Sequence, residues 1–188
     1  MMERFSMKLI FLVIIVVLML QACNSTKNII KRNSDDPSQS SVNQAQKYIK
    51  VGDYQKAINI YNSECCKQPK DLKLKQRYAD NLNNIKSIAD NAFEKGDFVR
   101  AGRVYFLLKK NYVKYKNVVK MLSFNNVYLN TKISQCKKSL TLQGFQEYRQ
   151  GDLDGALLAW QGVLDIDPDN KDIKEAIRTA NLQKKNLQ

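Results

Sequence analysis

A ten-residue pattern occurs three times in the chain and restricts what the chain can fold into. Each copy has a Gly-Asp pair, an apolar residue, an alanine three positions later and an aromatic residue four positions beyond the alanine. The copies span residues 52–61, 96–105 and 151–160. Glycine permits a tight turn at the end of one helix, and the aspartate carboxylate caps the next helix by accepting its free N–H groups. Because the small alanine lets helices approach closely, the pattern predicts packed helix pairs.

The recurring pattern resembles the tetratricopeptide repeat, whose unit is a pair of antiparallel helices. Pro69 and Pro168 follow the first and third copies where that repeat ends its second helix, and the second copy has Val113 there. From residue 42 onward, apolar residues recur every three or four positions without alternating runs. The resemblance implies an all-α fold over residues 42–188. We expect an irregular, tetratricopeptide-like α-solenoid of antiparallel helix pairs with a C-terminal closing helix.

The spacing of the copies departs from that family. The Gly-Asp pairs lie 44 and then 55 residues apart, whereas the family period is about 34 residues. Continuous apolar stripes predict long helices over 71–95 and 126–150, with a turn and a short helix over 116–124. A further stripe over 171–185 predicts the closing helix. We therefore expect a stack of elongated helices rather than a regular superhelix.

The amino terminus predicts export and lipid attachment. Arg4 and Lys8 precede twelve apolar residues at 9–20, which as a helix rise about 18 Å, less than the ~30 Å hydrocarbon core of a membrane. The following Leu20-Gln21-Ala22-Cys23 resembles the lipobox of bacterial lipoproteins, in which the signal is cleaved before the cysteine and the cysteine is acylated. An ordinary secretory signal with an unrelated cysteine is the alternative.

The lipoprotein resemblance implies three segments and a cellular location. Residues 1–22 are the signal peptide, Cys23 is the lipidation site, and residues 23–41 form a flexible tether with a reach of roughly 25 Å. Residues 42–188 are the helical domain. Asn24 stands where inner-membrane lipoproteins of enterobacteria often carry aspartate. The resemblance therefore favours the periplasmic face of the outer membrane over the inner membrane.

The charge of the chain suggests an anion-binding region. The formal net charge is +13, and residues 98–146 contain ten lysines and arginines but no aspartate or glutamate. Such a region attracts anions within a Debye length, about 8 Å. The candidate anion-binding residues are Arg100, Arg103, Lys109, Lys110, Lys114, Lys116 and Lys120. An anionic cell-envelope polymer or lipid headgroups are the expected ligands, a merely solvated face is the alternative, and export argues against nucleic acid.

A second candidate site follows from the repeat resemblance, because in that family peptides lie against the first helix of each pair. The corresponding positions carry a mixture of aromatic and charged residues, which binding hot spots use. The candidate partner-binding residues are Gln46, Lys50, Asp90, Phe93, Phe145, Tyr148 and Arg149. Phe93 and Tyr148 could instead belong to the hydrophobic core.

The remaining chemistry argues against an enzyme. The chain has no histidine, which excludes histidine-based catalysis and histidine metal ligands. Beyond Cys23 there are three cysteines, and either Cys65 or Cys66 bridges Cys136 or all three are thiols. No catalytic residue, metal or cofactor is predicted. We expect a protein-interaction scaffold or assembly factor in the periplasm, anchored to the outer membrane and bound to periplasmic or outer-membrane proteins. The alternative is a binding module for an anionic envelope polymer or lipid headgroups.

Overall fold

The computed structural model of the chain describes residues 37–187, which form seven α-helices and two short 3₁₀ turns and contain no strand. The helices are α1 Pro37–Lys50, α2 Tyr54–Lys67, α3 Leu72–Glu94, α4 Phe98–Lys110, α5 Asn126–Arg149, α6 Leu153–Ile166 and α7 Lys171–Asn186. The 3₁₀ turns are Tyr112–Tyr115 and Val119–Met121. The prediction of an all-α fold is confirmed. The predicted signal peptide, the lipidation site Cys23 and most of the tether lie outside the described residues.

Helix α1 begins earlier than the apolar pattern predicts. It starts at Pro37 rather than at Val42, because a proline fits the first turn of a helix, where its missing N–H is not needed. Val42, Ala45 and Ile49 are the buried residues of this helix. No helix among residues 37–187 has the length and apolar character needed to cross a membrane.

The three Gly-Asp turns have the same geometry. The φ angles of Gly52, Gly96 and Gly151 are +80°, +76° and +83°, a left-handed conformation that glycine adopts without the strain other residues suffer. In each turn the aspartate N–H donates back five residues, at 2.9 to 3.0 Å. The aspartate carboxylate then accepts from the backbone N–H three residues further on, at 2.8 to 3.3 Å. Each turn therefore ends one helix and caps the next.

Neighbouring helices pack against each other along the stack. Helix α2 contacts α3, α3 contacts α4, α4 contacts both α5 and α6, α5 contacts α6, and α6 contacts α7. The alanines of the three pattern copies are at most 1% exposed, and so are their aromatic residues. Those six residues are Ala57, Ala101, Ala156, Tyr61, Tyr105 and Trp160. Helix α7 packs against α6, and its residues Ile173 and Ala180 are buried, which confirms the closing helix.

The unusual spacing has a structural explanation in helix α3. At 23 residues it is ten residues longer than α4, and the segment between α4 and α5 packs back against it. Tyr115 is buried with its ring edge against Tyr78 of α3. Asn83 of α3 accepts from the backbone N–H of Ser123 and donates to the carbonyl of Met121. The segment between α4 and α5 thus forms a second layer over α3. The prediction of two long helices is confirmed by α3 and α5.

Two glycines within helices mark the closest approaches in the core. A Cβ on Gly102 of α4 would lie against Ile166 of α6, and a Cβ on Gly144 of α5 would lie against the indole of Trp160. Trp160 is 1% exposed and is flanked by Phe145 and Tyr148 of α5. The backbone of α5 at Gly144 therefore lies directly against the Trp160 ring of α6.

Candidate binding surfaces

The predicted partner-binding residues lie on three helices, α1, α3 and α5. Gln46 and Lys50 are exposed on α1. Phe93 is half-buried, with its edge against Phe98 and the Lys132 ammonium 3.8 Å from its ring centroid. Phe93 therefore contacts α4 through Phe98 and α5 through Lys132. Asp90, Phe145, Tyr148 and Arg149 fall into two further groups.

Asp90 lies at the centre of a polar cluster within the domain, which we call the Asp90 cluster. Its Oδ1 accepts from the hydroxyls of Tyr105 and Tyr128, both at 2.6 Å, and its Oδ2 is 2.7 Å from the Lys86 ammonium. These residues come from α3, α4 and α5, so the carboxylate links three helices. Both oxygens of Asp90 have partners within the domain, so the carboxylate contributes to the packing of these helices.

The electrostatics of the Asp90 cluster favour a charged carboxylate. Burial on its own would raise the pKa of Asp90, but hydrogen bonds from Lys86, Tyr105 and Tyr128 outweigh it and hold the pKa below its ordinary value. Burial and the hydrogen bond to Asp90 raise the pKa of Tyr105. The tyrosine hydroxyl therefore stays protonated and donates to the carboxylate.

Phe145, Tyr148 and Arg149 lie together in the last turns of α5. Phe145 is 40% exposed and packs edge-on against Trp160, with ring centroids 5.2 Å apart. The ring centroid of Tyr148 lies 5.7 Å from that of Trp160. Phe145 and Arg149 also line a cleft of about 570 Å³ on α5, which we call the α5 cleft. Its lining residues are Leu142, Phe145, Gln146, Arg149 and Gln150. Leu142, at 60% exposure, adds a second apolar side chain that the sequence did not single out.

The predicted anion-binding residues divide into exposed and paired cations. Arg100, Lys109, Lys110, Lys116 and Lys120 are exposed. Arg103 pairs with Asp165 of α6 at 2.5 Å, and Lys114 donates to the side chain of Asn59 at 3.0 Å. Lys137, in the same acid-free stretch, pairs with Asp167 at 2.9 Å. Two cations of the acid-free stretch therefore have counter-charges from outside it, supplied by α6 and by the turn that follows α6.

The structure also contains a groove that the sequence did not predict, which we call the α4 groove. It has a volume of about 590 Å³ and lies between the first Gly-Asp turn and the exposed side of α4. Its lining residues are Gly52, Tyr54, Asp97, Val99, Arg100, Arg103, Val104 and Leu107. The available signal was the apolar pair Val99 and Leu107 beside the arginines, and both side chains are only partly buried against the core.

The three cysteines in the described part of the chain are thiols. Cys65 and Cys136 are buried, Cys66 is exposed, and none of the three forms a disulfide. Burial raises the pKa of both buried thiols to about 11, which keeps them protonated and unreactive at neutral pH. Among residues 37–187 no group of three or more cysteine, aspartate or glutamate side chains is arranged to hold a metal ion.

No protein-family model matches the chain, and no curated protein matches it either. The class of protein is therefore defined by the fold alone, an all-α stack of helix pairs.

Proposed function

We propose that the chain is a protein-interaction scaffold or assembly factor, held by a lipid on Cys23 at the periplasmic face of the outer membrane. The observation that supports the binding role best is the α5 cleft, in which Phe145 remains 40% exposed although it packs on the buried ring of Trp160. Arg149 stands beside it in the same cleft. The proposed lipid attachment to a membrane is supported by the lipobox-like Leu20-Gln21-Ala22-Cys23.

The α5 cleft has the properties of a binding hot spot. An aromatic ring that already rests on a fixed base loses little conformational freedom when a partner covers it. The Arg149 guanidinium offers five N–H donors and a permanent charge for a carboxylate or a carbonyl of the partner. Aromatic residues and arginine together account for much of the energy at protein interfaces. A partner that fills the α5 cleft therefore gains both apolar burial and directional hydrogen bonds.

The first prediction concerns the α5 cleft. We expect the double variant Phe145→Ala and Arg149→Ala to weaken partner binding by at least about tenfold. The measurement is capture of partners by the full tagged chain, extracted from envelopes in detergent and washed across a salt series, with quantification of each captured protein. The matched control is Leu158→Ala with Lys174→Ala, which removes an exposed apolar residue and a cation elsewhere. An unaltered set of captured proteins in the cleft variant contradicts the proposal.

The second prediction concerns the lipid anchor. We expect Cys23→Ser to abolish incorporation of an acyl label and to move the chain from the membrane fraction to the soluble fraction, because several acyl chains at ~0.8 kcal/mol per buried CH₂ supply the membrane affinity. The measurement is metabolic labelling with a fatty-acid analogue, followed by density fractionation of the envelope. Cys66→Ser is the control, since it removes an exposed thiol without touching the lipobox. Labelling that persists in Cys23→Ser contradicts the anchor.

A second candidate function is the binding of an anionic envelope polymer or lipid headgroups. It is favoured by the exposed cations Arg100, Lys109, Lys110, Lys116 and Lys120, none of which has a carboxylate partner within residues 37–187. At physiological ionic strength the attraction between exposed charges is screened over a distance of about 8 Å, and this distance shortens as salt is added. Captured polymer is therefore lost as salt rises, whereas a protein held through the α5 cleft stays bound. The salt series thus separates the two functions.

A further inference from the structure

The α4 groove combines apolar and cationic side chains on one surface. Tyr54, Val99 and Leu107 are half-buried, so each offers part of its apolar surface to an incoming molecule. Arg100 is exposed and has no carboxylate partner within the described part of the chain. Arg103 pairs with Asp165 but keeps 59% of its side chain exposed. A ligand for this groove therefore needs both apolar groups and negative charge.

The cations continue along the same side of α4. Arg100, Arg103, Leu107 and Lys110 follow one another at three- and four-residue steps, which places them on one face of the helix. From Arg100 to Lys110 the helix rises about 15 Å. The one carboxylate in the lining, Asp97, is engaged as the helix cap through the backbone N–H of Arg100. The face therefore presents a row of positive charge beside an apolar strip.

We propose that the α4 groove docks an acidic amphipathic segment of a partner protein. Its carboxylates pair with Arg100, Arg103 and Lys110, and its apolar side chains cover Val99 and Leu107. Charge complementarity selects an acidic partner, and the apolar lining selects a peptide over a polyanion, since a phosphate or sugar polymer has nothing to place on valine and leucine. This surface lies on α2 and α4, separate from the α5 cleft, so it gives the scaffold a second site and does not depend on the first.

The test uses the full chain in detergent and three fluorescent probes, read by anisotropy. The first is an acidic amphipathic peptide of about 14 residues with leucine at helical spacing, which spans about 21 Å. The second has the same composition in scrambled order, and the third is a glutamate-only peptide of equal charge. We expect the amphipathic peptide to bind at least about tenfold more tightly than either of the others.

Variants then locate the site. We expect Arg100→Glu and Leu107→Asn each to weaken binding of the amphipathic peptide by at least about fivefold, and Lys174→Glu, an equal change of charge on exposed α7, to leave it unchanged. Helical content by circular dichroism verifies that each variant is folded. Phe145→Ala with Arg149→Ala leaves this binding intact, so failure of the α5 cleft and failure of the α4 groove are distinguishable.

Several results overturn the proposal. Equal binding of the scrambled or glutamate-only peptide assigns the surface to anions in general. Binding to vesicles of phosphatidylglycerol that Arg100→Glu abolishes, without peptide binding, assigns it to a membrane. Concentration-dependent self-association that Arg100→Glu abolishes assigns it to a second copy of the chain. Absence of binding by every probe also overturns it.

Discussion

Replacing Gly144 by alanine is expected to lower the free energy of unfolding by about 2–3 kcal/mol, although alanine is ordinarily the better helix former. A Cβ at this position would lie less than 3 Å from three atoms of the Trp160 indole. The indole cannot move aside, because it is buried and packed between Phe145 and Tyr148. The two helices must therefore separate, and the overpacking outweighs the gain in helix propensity.

Chemical denaturation followed by circular dichroism measures this effect. Gln143→Ala is the matched control, since it changes the preceding, exposed residue of the same helix and meets no neighbour in the core. Combining Gly144→Ala with Trp160→Phe tests the cause, because the smaller ring frees the space the Cβ needs. We expect the double variant to lose less stability than the sum of the two single losses. A Gly144→Ala variant as stable as the parent would show that α5 and α6 are not in such close contact.

Removal of the Asp90 carboxylate is the second change with a large expected effect. We expect Asp90→Ala to cost about 3 kcal/mol, because it leaves the Tyr105 hydroxyl without an acceptor in the core and the Lys86 ammonium without its counter-ion. Glu94→Ala is the control, an exposed carboxylate one turn further along the same helix. Equal losses in the two variants would contradict the role assigned to the Asp90 cluster.

The Asp90 cluster also gives stability a dependence on pH. Since the pKa of Asp90 is lower in the folded chain than in the unfolded chain, its contribution is fully present above the unfolded value of about 3.9. The contribution is lost as the pH falls through the folded value, when the carboxylate becomes protonated. Between pH 7 and pH 3 the parent protein should therefore lose more stability than Asp90→Ala does. Denaturation curves at several pH values measure the difference.

The sequence predicted the local structure well because the information was local. The conformation of each Gly-Asp turn depends on glycine, on the capping aspartate and on a few hydrogen bonds within the same segment, so the three turns and the long helices were predictable. The Asp90 cluster was not, because its two tyrosines lie 15 and 38 residues from Asp90 and come from two other helices. By position alone Asp90 resembled a partner-binding residue.

The candidate surfaces show the same difference between features set by neighbouring residues and features set by distant ones. Phe145 and Arg149 were predicted as neighbours on one helix, and they do share a cleft. The pairing of Arg103 with Asp165 spans 62 residues and depends on how α4 packs against α6. The α4 groove likewise depends on where the first turn meets α4. These features follow from packing between helices, which a periodic pattern does not encode.

The unequal lengths of the helix pairs bear on how such a chain could evolve. Its three turns are nearly interchangeable, but the segments between them are not. Helix α3 carries a layer of its own through Tyr78 and Asn83, and Gly144 fits only the indole opposite it. Duplication or deletion of one unit, the usual route by which solenoids lengthen and shorten, would separate these fitted partners. The interfaces therefore favour the present length of this stack, and surface substitution is a route to new specificity that leaves them intact.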